Sequence, residues 1–355
     1  YFYKSDKKII MKIAIIGSGF FGATLGLVLS KKNKVTVYEK EKTILNGASA
    51  ANQFRFHLGY HYPRSKKTIT EINKSKKLFT SFNGDRVFQK TINYYLIAKK
   101  SKTNFNKYKL FLEKNNLYNK DVNIKNFGQE IDKVILSNEK ILNYFNYKKS
   151  LLQKIKTSKL KLKLNTEFKK KDLINYDKVI IATYSNNNFV LKKLGVKKLQ
   201  KYKFELVEKI IVKLPKKFSN KSYVVIDGKF VCVDPYLGTN YHLLSDVKLS
   251  KLETKIGNFP TFNDKKKQYL NKGMIKNIKA SRFNQFINRS SIYLPFLKEA
   301  KYVGSFFVVR TIQKNKEKTD ERISSIVSHS KKITSILSGK WNNCVYLAKN
   351  FVINK

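Results

Sequence analysis

Cysteine is scarce in this sequence of 355 residues, and long apolar runs are missing. The two cysteines, Cys232 and Cys344, exclude a disulfide framework or a multi-cysteine zinc site, which suits a reducing compartment. No run of about 18 uncharged apolar residues occurs, so we predict no membrane-spanning helix. Because apolar residues still make up 42% of the chain, global disorder is excluded, and we expect a folded cytoplasmic protein.

Acidic residues and arginine are scarce as well. The chain has 24 acidic against 74 basic residues, a formal net charge of +50, but only seven of the basic residues are arginine. Such an excess raises the possibility of a nucleic-acid or anionic-membrane partner, although phosphate and base recognition favours clustered arginine. Codon bias in an A/T-rich genome explains the excess of lysine, asparagine and isoleucine about as well. We therefore predict no nucleic-acid partner and leave peripheral membrane contact open.

The sequence pattern is most informative after the first methionine. Residues 1–10 lack the order of a signal peptide and are interpreted as an extension. Residues 12–16 are an apolar run typical of a buried strand, residues 17–22 read Gly-Ser-Gly-Phe-Phe-Gly before a helical stretch, and residues 34–38 form a second β-branched strand. Strand, glycine-rich turn, helix and strand within about thirty residues are the order that a dinucleotide-binding unit requires.

Each glycine of this turn has a physical role. Gly17 permits the tight turn, Gly19 lets the backbone approach a pyrophosphate, and Gly22 lets the helix pack closely on the strand. Glu39 ends the second strand, where its carboxylate accepts hydrogen bonds from ribose hydroxyls. A second G-x-G-x-x-G is missing, which argues against a flavoenzyme with a separate nicotinamide domain. The other cofactor contacts predicted from this unit are Phe20, Phe21 and Lys40.

Residues 47–65 form a polar, aromatic stretch with two histidines and two arginines, which predicts a ligand-lining loop. The small-residue stretch at residues 48–52, the His-x-Gly at residues 57–59 and the tyrosines that follow resemble the second flavin-contacting segment of the D-amino-acid oxidase-like (DAO) superfamily of FAD-dependent oxidoreductases. Within that superfamily, the stretch is most similar to the L-2-hydroxyglutarate dehydrogenase and glycine oxidase-like members. The resemblance implies FAD as the cofactor.

Further matches to the superfamily follow along the chain. Residues 161–168 resemble the strand beside the adenine, and residues 179–184 resemble the later strand that ends Ala-Thr-Gly, except that Tyr184 replaces the glycine. Residues 338–340 are similar to the loop that caps the pyrimidine edge of the flavin, although the family has more glycines there. The cofactor contacts that the resemblance implies are Ser49, Asn52, Gln53, Phe168, Ala182, Thr183, Gly339 and Lys340.

A carboxylate-bearing substrate calls for a bidentate arginine. Arg310 resembles the family's arginine on the strand before the final flavin segment, and His57 is the predicted catalytic neighbour of flavin or substrate, with a structural histidine as the alternative. Because no cysteine or acidic residue stands at metal-ligand spacing from His57 and His61, we predict no metal site. Lys340, if it is not simply an exposed lysine, is a candidate to stabilise the reduced flavin. Substrate contacts are predicted at Arg55, Tyr62, Arg64, Tyr241 and His242.

The predicted fold class is α/β, with a Rossmann-like FAD-binding domain of the glutathione-reductase type and an interleaved, mainly antiparallel β-sheet substrate domain. The predicted FAD-binding domain is discontinuous and takes residues 11–85, 150–195 and 300–355. The predicted substrate domain takes residues 86–149 and 196–299.

By resemblance, the expected function is oxidation of a C–OH or C–NH bond of a small carboxylate-bearing molecule by hydride transfer to flavin N5. Three alternatives stay open: a redox-neutral or monooxygenase flavoenzyme acting on a sugar nucleotide or other metabolite, a non-catalytic FAD-binding protein, and a polyanion-binding module. The electron acceptor and the oligomeric state are left open by the sequence.

Overall fold

The computed structural model describes residues 10–124, 126–228, 230–313 and 323–352. The extension predicted over residues 1–10 lies outside the described residues except for Ile10. In chain order, the strands of the described part are β1 (Lys12–Ile16), β2 (Lys34–Tyr38), β3 (Arg55–Phe56), β4 (Phe88–Gln89), β5 (Ile92–Ala98), β6 (Lys120–Asp121), β7 (Ile131–Ser137), β8 (Lys140–Leu142), β9 (Lys161–Lys163), β10 (Lys178–Ile181), β11 (Tyr202–Lys213), β12 (Lys221–Ile226), β13 (Val231–Tyr236), β14 (Tyr241–Asp246), β15 (Lys251–Gly257), β16 (Lys301–Ile312), β17 (Ser325–Ser328) and β18 (Ile333–Leu337).

The α-helices are fewer than the strands and mostly flank them. Within the described ranges, no helix combines the length and the apolar character that crossing a bilayer requires. The helices are α1 (Phe20–Leu29), α2 (Lys66–Asn83), α3 (Phe105–Lys114), α4 (Tyr144–Lys156), α5 (Asn187–Lys193), α6 (Phe283–Ser290) and α7 (Cys344–Lys349).

A six-stranded sheet forms the first layer, with the strand order β17-β18-β10-β1-β2-β9. All its pairings are parallel except that of the edge strand β17 with β18. The central strand β1 is buried on both faces, with Ile13, Ala14 and Ile15 inaccessible to solvent, as the apolar run predicts. The parallel sheet with its βαβ unit confirms the predicted α/β class.

A nine-stranded sheet forms the second layer, and antiparallel pairings dominate it. The long strand β11 pairs with β16 along one edge and with β14 and β15 along the other. The sheet continues from β14 through β13, β12, β5, β7 and β6, and the pair β12–β5 is parallel. A small sheet, ordered β3-β8-β4, lies beside these two layers.

The strand pairings differ from the predicted domain boundaries at two places. The boundary at residue 300 assigns β16 to the FAD-binding domain, whereas β16 pairs with β11 and belongs to the nine-stranded sheet. The boundary at residue 150 falls inside α4, whose residues Tyr147 and Leu151 pack in the core around α1. Both differences arise because long-range pairing and packing, rather than local composition, assign a segment to its layer.

The start of α1 is fixed by aromatic packing from the end of the chain. Trp341, just before α7, lies 5.4 Å between ring centroids from Phe20 and 5.1 Å from Phe79 of α2. Residues 341–349 form a short turn followed by α7, and Val352 is exposed. This packing brings residues 338–341 next to the glycine-rich turn after β1.

Gly22 tests the close contact between α1 and the turn. A Cβ atom on Gly22 would lie 1.9 Å from the Gly17 carbonyl oxygen, so Gly22→Ala should lower the free energy of unfolding by about 1–3 kcal/mol. Gly257→Ala is the matched control, because its Cβ would meet nothing within 4 Å, and its effect should stay within about 0.5 kcal/mol. Denaturant unfolding of both variants is the measurement; equal midpoints would contradict the close contact.

Candidate cofactor and substrate site

A crevice opens where the carboxyl ends of the parallel strands face the nine-stranded sheet. Its first part, which we call the strand-end cavity, has a volume of about 370 Å³, and its second part, which we call the chamber, has a volume of about 390 Å³. The two parts share the lining residues Gly19, Ala48, Ser49, Ala182, Tyr184 and Val309. They therefore form one continuous space with room for a long ligand.

The glycine-rich turn forms one wall of the strand-end cavity. Gly17 has φ +98°, and a Cβ atom there would lie 2.8 Å from the Ala182 carbonyl oxygen. Gly19 precedes α1 and lines both parts of the crevice, and a Cβ atom on it would lie 3.1 Å from Ser49 Oγ. The bare backbone at the helix start leaves N–H groups and the positive end of the helix dipole facing the crevice, which suits an anion.

Glu39 is fixed at the end of β2. Its Oε2 accepts hydrogen bonds from the Ser18 backbone N–H at 2.8 Å and from Ser18 Oγ at 2.7 Å, while its Oε1 accepts from the Glu41 N–H at 3.1 Å. Lys40 and Phe168 line the same cavity as Glu39. The cavity therefore offers a positioned carboxylate and an aromatic ring beside the turn.

Tyr184 stands where the resembled family has glycine, and its backbone shows why glycine is usual there. Its φ is +57°, in the left-handed region that glycine adopts at least cost. The Tyr184 hydroxyl donates to the Thr311 carbonyl at 3.1 Å and accepts from the Thr311 N–H at 2.9 Å. Ala182 and Thr183, which precede it, line the strand-end cavity. The turn is thus held against β16.

The chamber contains buried polar atoms without a protein partner. Gln53 Oε1 and Trp341 Nε1 are buried, have no hydrogen-bond partner among the described residues, and belong to residues that line the chamber. Buried polar groups normally have partners, so these two atoms indicate a ligand with polar edges. Other predicted cofactor residues that line the chamber are Phe20, Phe21, Ser49, Asn52, Gly339 and Lys340.

Arg310 reaches the chamber from β16, and Glu205 fixes it from the paired strand β11. Arg310 Nε donates to Glu205 Oε2 at 2.5 Å, and its NH2 group forms an ion pair with the same oxygen. Burial would raise the pKa of the Glu205 carboxyl, but the charges of Arg310 and Lys251 outweigh it, and the pKa lies below its usual value. Arg310 keeps 40% of its side chain exposed, so it can also bind an anion in the chamber.

Lys209 is a chamber residue that the sequence analysis missed. It lies two residues after Val207 on the same face of β11, and its Nζ is 3.4 Å from Ser245 Oγ. Burial lowers the pKa of its ammonium to about 8; the charge of Arg310 adds to this effect, whereas Asp234 opposes it. Only the strand register distinguishes this lysine from the 66 others in the sequence.

Arg55, a predicted substrate contact, lines the chamber, but the structure shows its guanidinium paired with protein carboxylates. Its side chain is 1% exposed, and its Nε donates to Glu139 Oε2 at 2.9 Å while NH1 contacts Asp234 Oδ1 at 2.5 Å. The thiol of Cys232 donates to the other oxygen of Asp234 at 2.9 Å. The guanidinium is therefore committed to two buried carboxylates, as a buried charge must be.

His57 and His61 both line the chamber, with ring centroids 5.0 Å apart. Burial lowers the pKa of both imidazoles, and the charges of Lys340 and Arg55 lower it further. The structure also brings Glu139 close, so that ligand atoms of the three residues lie within 4.8 Å of one another. This acidic neighbour was not visible in the sequence, which separates it from the histidines by about eighty residues. The adjacent Arg55 guanidinium disfavours a metal cation, and the absence of a metal stays a prediction.

Unlike Arg55, the remaining four predicted substrate residues do not line the crevice among the described residues. Arg64 pairs with Asp227, at 2.7 Å from Nε to Oδ2, and the Tyr62 ring lies under Lys340 Nζ at 4.8 Å. His242 is buried on the opposite face of β14 from Ser245, and its Nε2 is 3.1 Å from the Phe218 carbonyl. Tyr241 begins β14 and packs against the core. The alternation of side chains along β14 excludes His242 from the chamber.

Comparison with known proteins identifies the family of the chain. Residues 12–246 match the family model described as FAD dependent oxidoreductase (DAO). The chain belongs to this family. Its cofactor is FAD, and the residues fit that group: the turn after β1 leaves room for a diphosphate, Glu39 stands at the end of β2, and the chamber presents orphaned polar atoms.

Solved structures share this fold over nearly the whole chain. L-proline dehydrogenase from P. horikoshii has a TM-score of 0.70 at 12% identity and covers 97% of this chain and 92% of its own. L-alpha-glycerophosphate oxidase from Mycoplasma pneumoniae, with FAD bound, has a TM-score of 0.67 at 16% identity and covers 96% and 93%. Glycine oxidase from Geobacillus kaustophilus has a TM-score of 0.65 at 13% identity and covers 95% and 91%.

Curated relatives match a shorter stretch. The FAD-dependent monooxygenase kojA of Aspergillus flavus is 39% identical over 59 residues, which are 16% of this chain and 14% of the relative. The FAD-dependent monooxygenase FPY4 of Fusarium mangiferae is 37% identical over 57 residues, 16% of this chain and 15% of the relative. The matched region thus spans about one seventh of these relatives.

Substitution of Gly19 tests whether the diphosphate of FAD lies against the glycine-rich turn. Gly19→Val should give a folded but colourless protein, because the side chain would fill the space between the turn and Ser49 that the diphosphate needs. Gly257→Val is the control, because residue 257 ends a strand in open space and valine suits a strand. The measurement is the flavin absorbance per mole of purified protein; a Gly19→Val protein with a full complement of flavin would refute the position.

Proposed function

We propose that this chain is an FAD-dependent oxidoreductase that oxidises a C–OH or C–NH bond beside the carboxylate of a small molecule. The observation that carries the proposal is the position of Arg310, an arginine held by a buried carboxylate in the chamber next to the dinucleotide cavity. Bound FAD supplies the two-electron acceptor for this oxidation. The chain's own residues bind, orient and desolvate the substrate.

The strand-end cavity would hold the dinucleotide half of FAD. Gly17, Gly19 and the start of α1 would take the diphosphate, and Glu39 would accept hydrogen bonds from the ribose. Phe168 would lie beside the adenine. The orphaned atoms of Gln53 and Trp341, together with residues 338–340, would meet the polar edges of the flavin ring in the chamber.

Arg310 would hold the substrate carboxylate. Its Nε and NH2 groups are engaged with Glu205, which fixes the plane of the guanidinium and leaves its other edge for the ligand. Because Glu205 is 1% exposed, this orientation is rigid. A rigid guanidinium positions the reacting carbon relative to the cofactor without loss of side-chain entropy.

Lys209 would provide a second positive charge at the other end of the chamber. Glu205 and Arg310 are opposite each other in the β11–β16 register, and Lys209 is opposite Phe306 four residues away, about 13 Å along the strand. Val207 and Val308 lie between the two cations on the same face and line the chamber. This arrangement suits a substrate with an apolar centre and a second anionic or polar group.

Anaerobic reduction of the purified protein tests the proposal. A panel of 2-hydroxy acids and amino acids, including dicarboxylic members, should contain a compound that bleaches the flavin absorbance under argon. Bleaching by alcohols or amines without a carboxylate, and not by any acid, would contradict the role of Arg310.

Arg310→Met should raise the KM for that substrate by about ten- to hundredfold, because a charge-assisted hydrogen-bond pair is lost. Arg64→Met is the matched control, since Arg64 pairs with Asp227 outside the crevice and should leave KM unchanged. Steady-state kinetics of the two variants give the result. An unchanged KM in Arg310→Met would remove Arg310 from the site.

Lys209 predicts a pH dependence of ligand binding. Its ammonium is charged below pH about 8 and is lost as the pH rises through that value. The affinity for succinate, followed by flavin absorbance, should therefore fall about tenfold between pH 7 and pH 9, whereas the affinity for propionate should change little. Lys209→Met should abolish the difference, and Lys213→Met, at the exposed end of β11, should preserve it. Equal pH dependence of both ligands in the unmodified protein would contradict the second positive site.

A monooxygenase is the second candidate, because the relatives kojA and FPY4 are FAD-dependent monooxygenases. It would need a reductant such as NADPH to reduce the flavin. Rapid flavin reduction by NADPH without any organic acid would support this candidate over the proposed oxidation.

A further inference from the structure

We propose that His61 accepts the proton of the substrate hydroxyl or amine during oxidation, with Tyr95 and Glu139 as the positioning residues that fix its tautomer. This inference rests on the proposed function and deepens it. The relay consists of His61 Nδ1 at 2.7 Å from the Tyr95 hydroxyl, which donates to Glu139 Oε2 at 2.6 Å.

The hydrogen-bond directions in this relay follow from Glu139. Its two oxygens receive the Arg55 Nε–H at 2.9 Å and the Leu58 N–H at 3.0 Å, so the carboxylate acts as an acceptor. The single hydroxyl proton of the fully buried Tyr95 therefore points at Glu139, and the Tyr95 oxygen must accept from its other neighbour. That neighbour is His61, whose proton is thereby placed on Nδ1.

A proton on Nδ1 leaves a lone pair on Nε2 of the neutral ring. The described residues give Nε2 no hydrogen-bond partner, and His61 lines the chamber together with Gln53 and Cys232. Nε2 is therefore available to a ligand. The hydrogen bond between Nδ1 and the Tyr95 hydroxyl fixes the orientation of the ring, as a general base requires.

The charges around His61 keep the ring neutral. Burial lowers its pKa, and the positive charges of Arg55 and Lys340 lower it further, so that the acceptor form persists well below pH 6.5. The groups that face His61 are His57, Tyr62, Tyr95, Arg55, Lys340 and Glu139.

The step balances in atoms and electrons. Bound FAD would supply the acceptor for the hydride of the broken C–H bond, while the O–H or N–H proton would pass to His61 Nε2 as the C=O or C=N bond forms. The Nδ1 proton stays hydrogen-bonded to Tyr95, which donates to the Glu139 carboxylate, so the ring keeps its orientation while Nε2 takes up the proton.

His57, the histidine favoured by the sequence, lacks such a relay. Its Nδ1 is buried without a hydrogen-bond partner among the described residues and is 3.9 Å from Glu139 Oε1. No hydroxyl orients its ring as Tyr95 orients that of His61. The two histidines therefore lead to opposite expectations. Substitution of the histidine that accepts the proton should slow the oxidation, and substitution of the other should not.

The tautomer can be measured independently of turnover. With only four histidines in the chain, ¹⁵N-histidine NMR of the FAD-loaded protein resolves each ring, and loss of one set of signals in His61→Gln assigns His61. We expect the Nδ1–H tautomer, persisting below pH 6.5, and a mixed or Nε2–H state in Tyr95→Phe. A neutral Nε2–H tautomer in the unmodified protein would overturn the inference.

Kinetics then separates this inference from the proposed function. With FAD content unchanged, His61→Gln should slow anaerobic bleaching about 10²- to 10⁴-fold, and His329→Gln, which substitutes a histidine outside the chamber, should not. Tyr95→Phe should shift the acid limb of the pH profile rather than KM. If the unmodified protein is bleached and His61→Gln is bleached equally fast, the role of His61 is refuted and the proposed function stands. If no carboxylate-bearing compound bleaches the unmodified protein, the proposed function fails as well.

Discussion

The buried guanidinium of Arg55 is the interaction on which the site depends. It joins β3 to Asp234 on β13 and to Glu139 before β8, and its NH1 group also donates to Ser222 on β12. Removing one partner of such a buried pair costs about 3–5 kcal/mol, because an unpaired charge stays behind. The loop that carries the two chamber histidines is thereby anchored to the nine-stranded sheet.

The cations of the chamber differ in how far protein carboxylates neutralise them. Arg55 is neutralised by carboxylates behind the wall, whereas Arg310 is only half engaged by Glu205 and Lys209 touches only a distant hydroxyl. The positive charge that a ligand meets comes from Arg310, Lys209 and Lys251 on the antiparallel sheet and from Lys340 in the loop after β18. The loop that carries the histidines contributes neutral rings and amides. This combination of a neutral histidine and facing cations is the arrangement on which the proposed oxidation of an acid rests.

The sequence predicted the features that depend on local chemistry. The turn at Gly17, the apolar strands β1 and β2 and the carboxylate of Glu39 follow from φ requirements and strand periodicity, and the structure places them together. The family assignment and the α/β class are confirmed.

The features that the sequence missed depend on pairing between distant segments. Arg55 could not be recognised as an internal ion pair because Glu139 and Asp234 lie 84 and 179 residues away. The exclusion of His242 and the inclusion of Lys209 depend on strand register, since a shift of one residue moves a side chain to the other face. Glu139 was missed because about eighty residues separate it from the two histidines that it approaches.

Tyr184 connects the strand-end cavity to the strand that carries Arg310. Tyr184 lines both parts of the crevice, and its hydroxyl is hydrogen-bonded to the carbonyl and the N–H of Thr311, the residue after Arg310. A displacement of this side chain would act directly on the peptide next to Arg310. A glycine at this position would lack that connection between the two parts of the crevice.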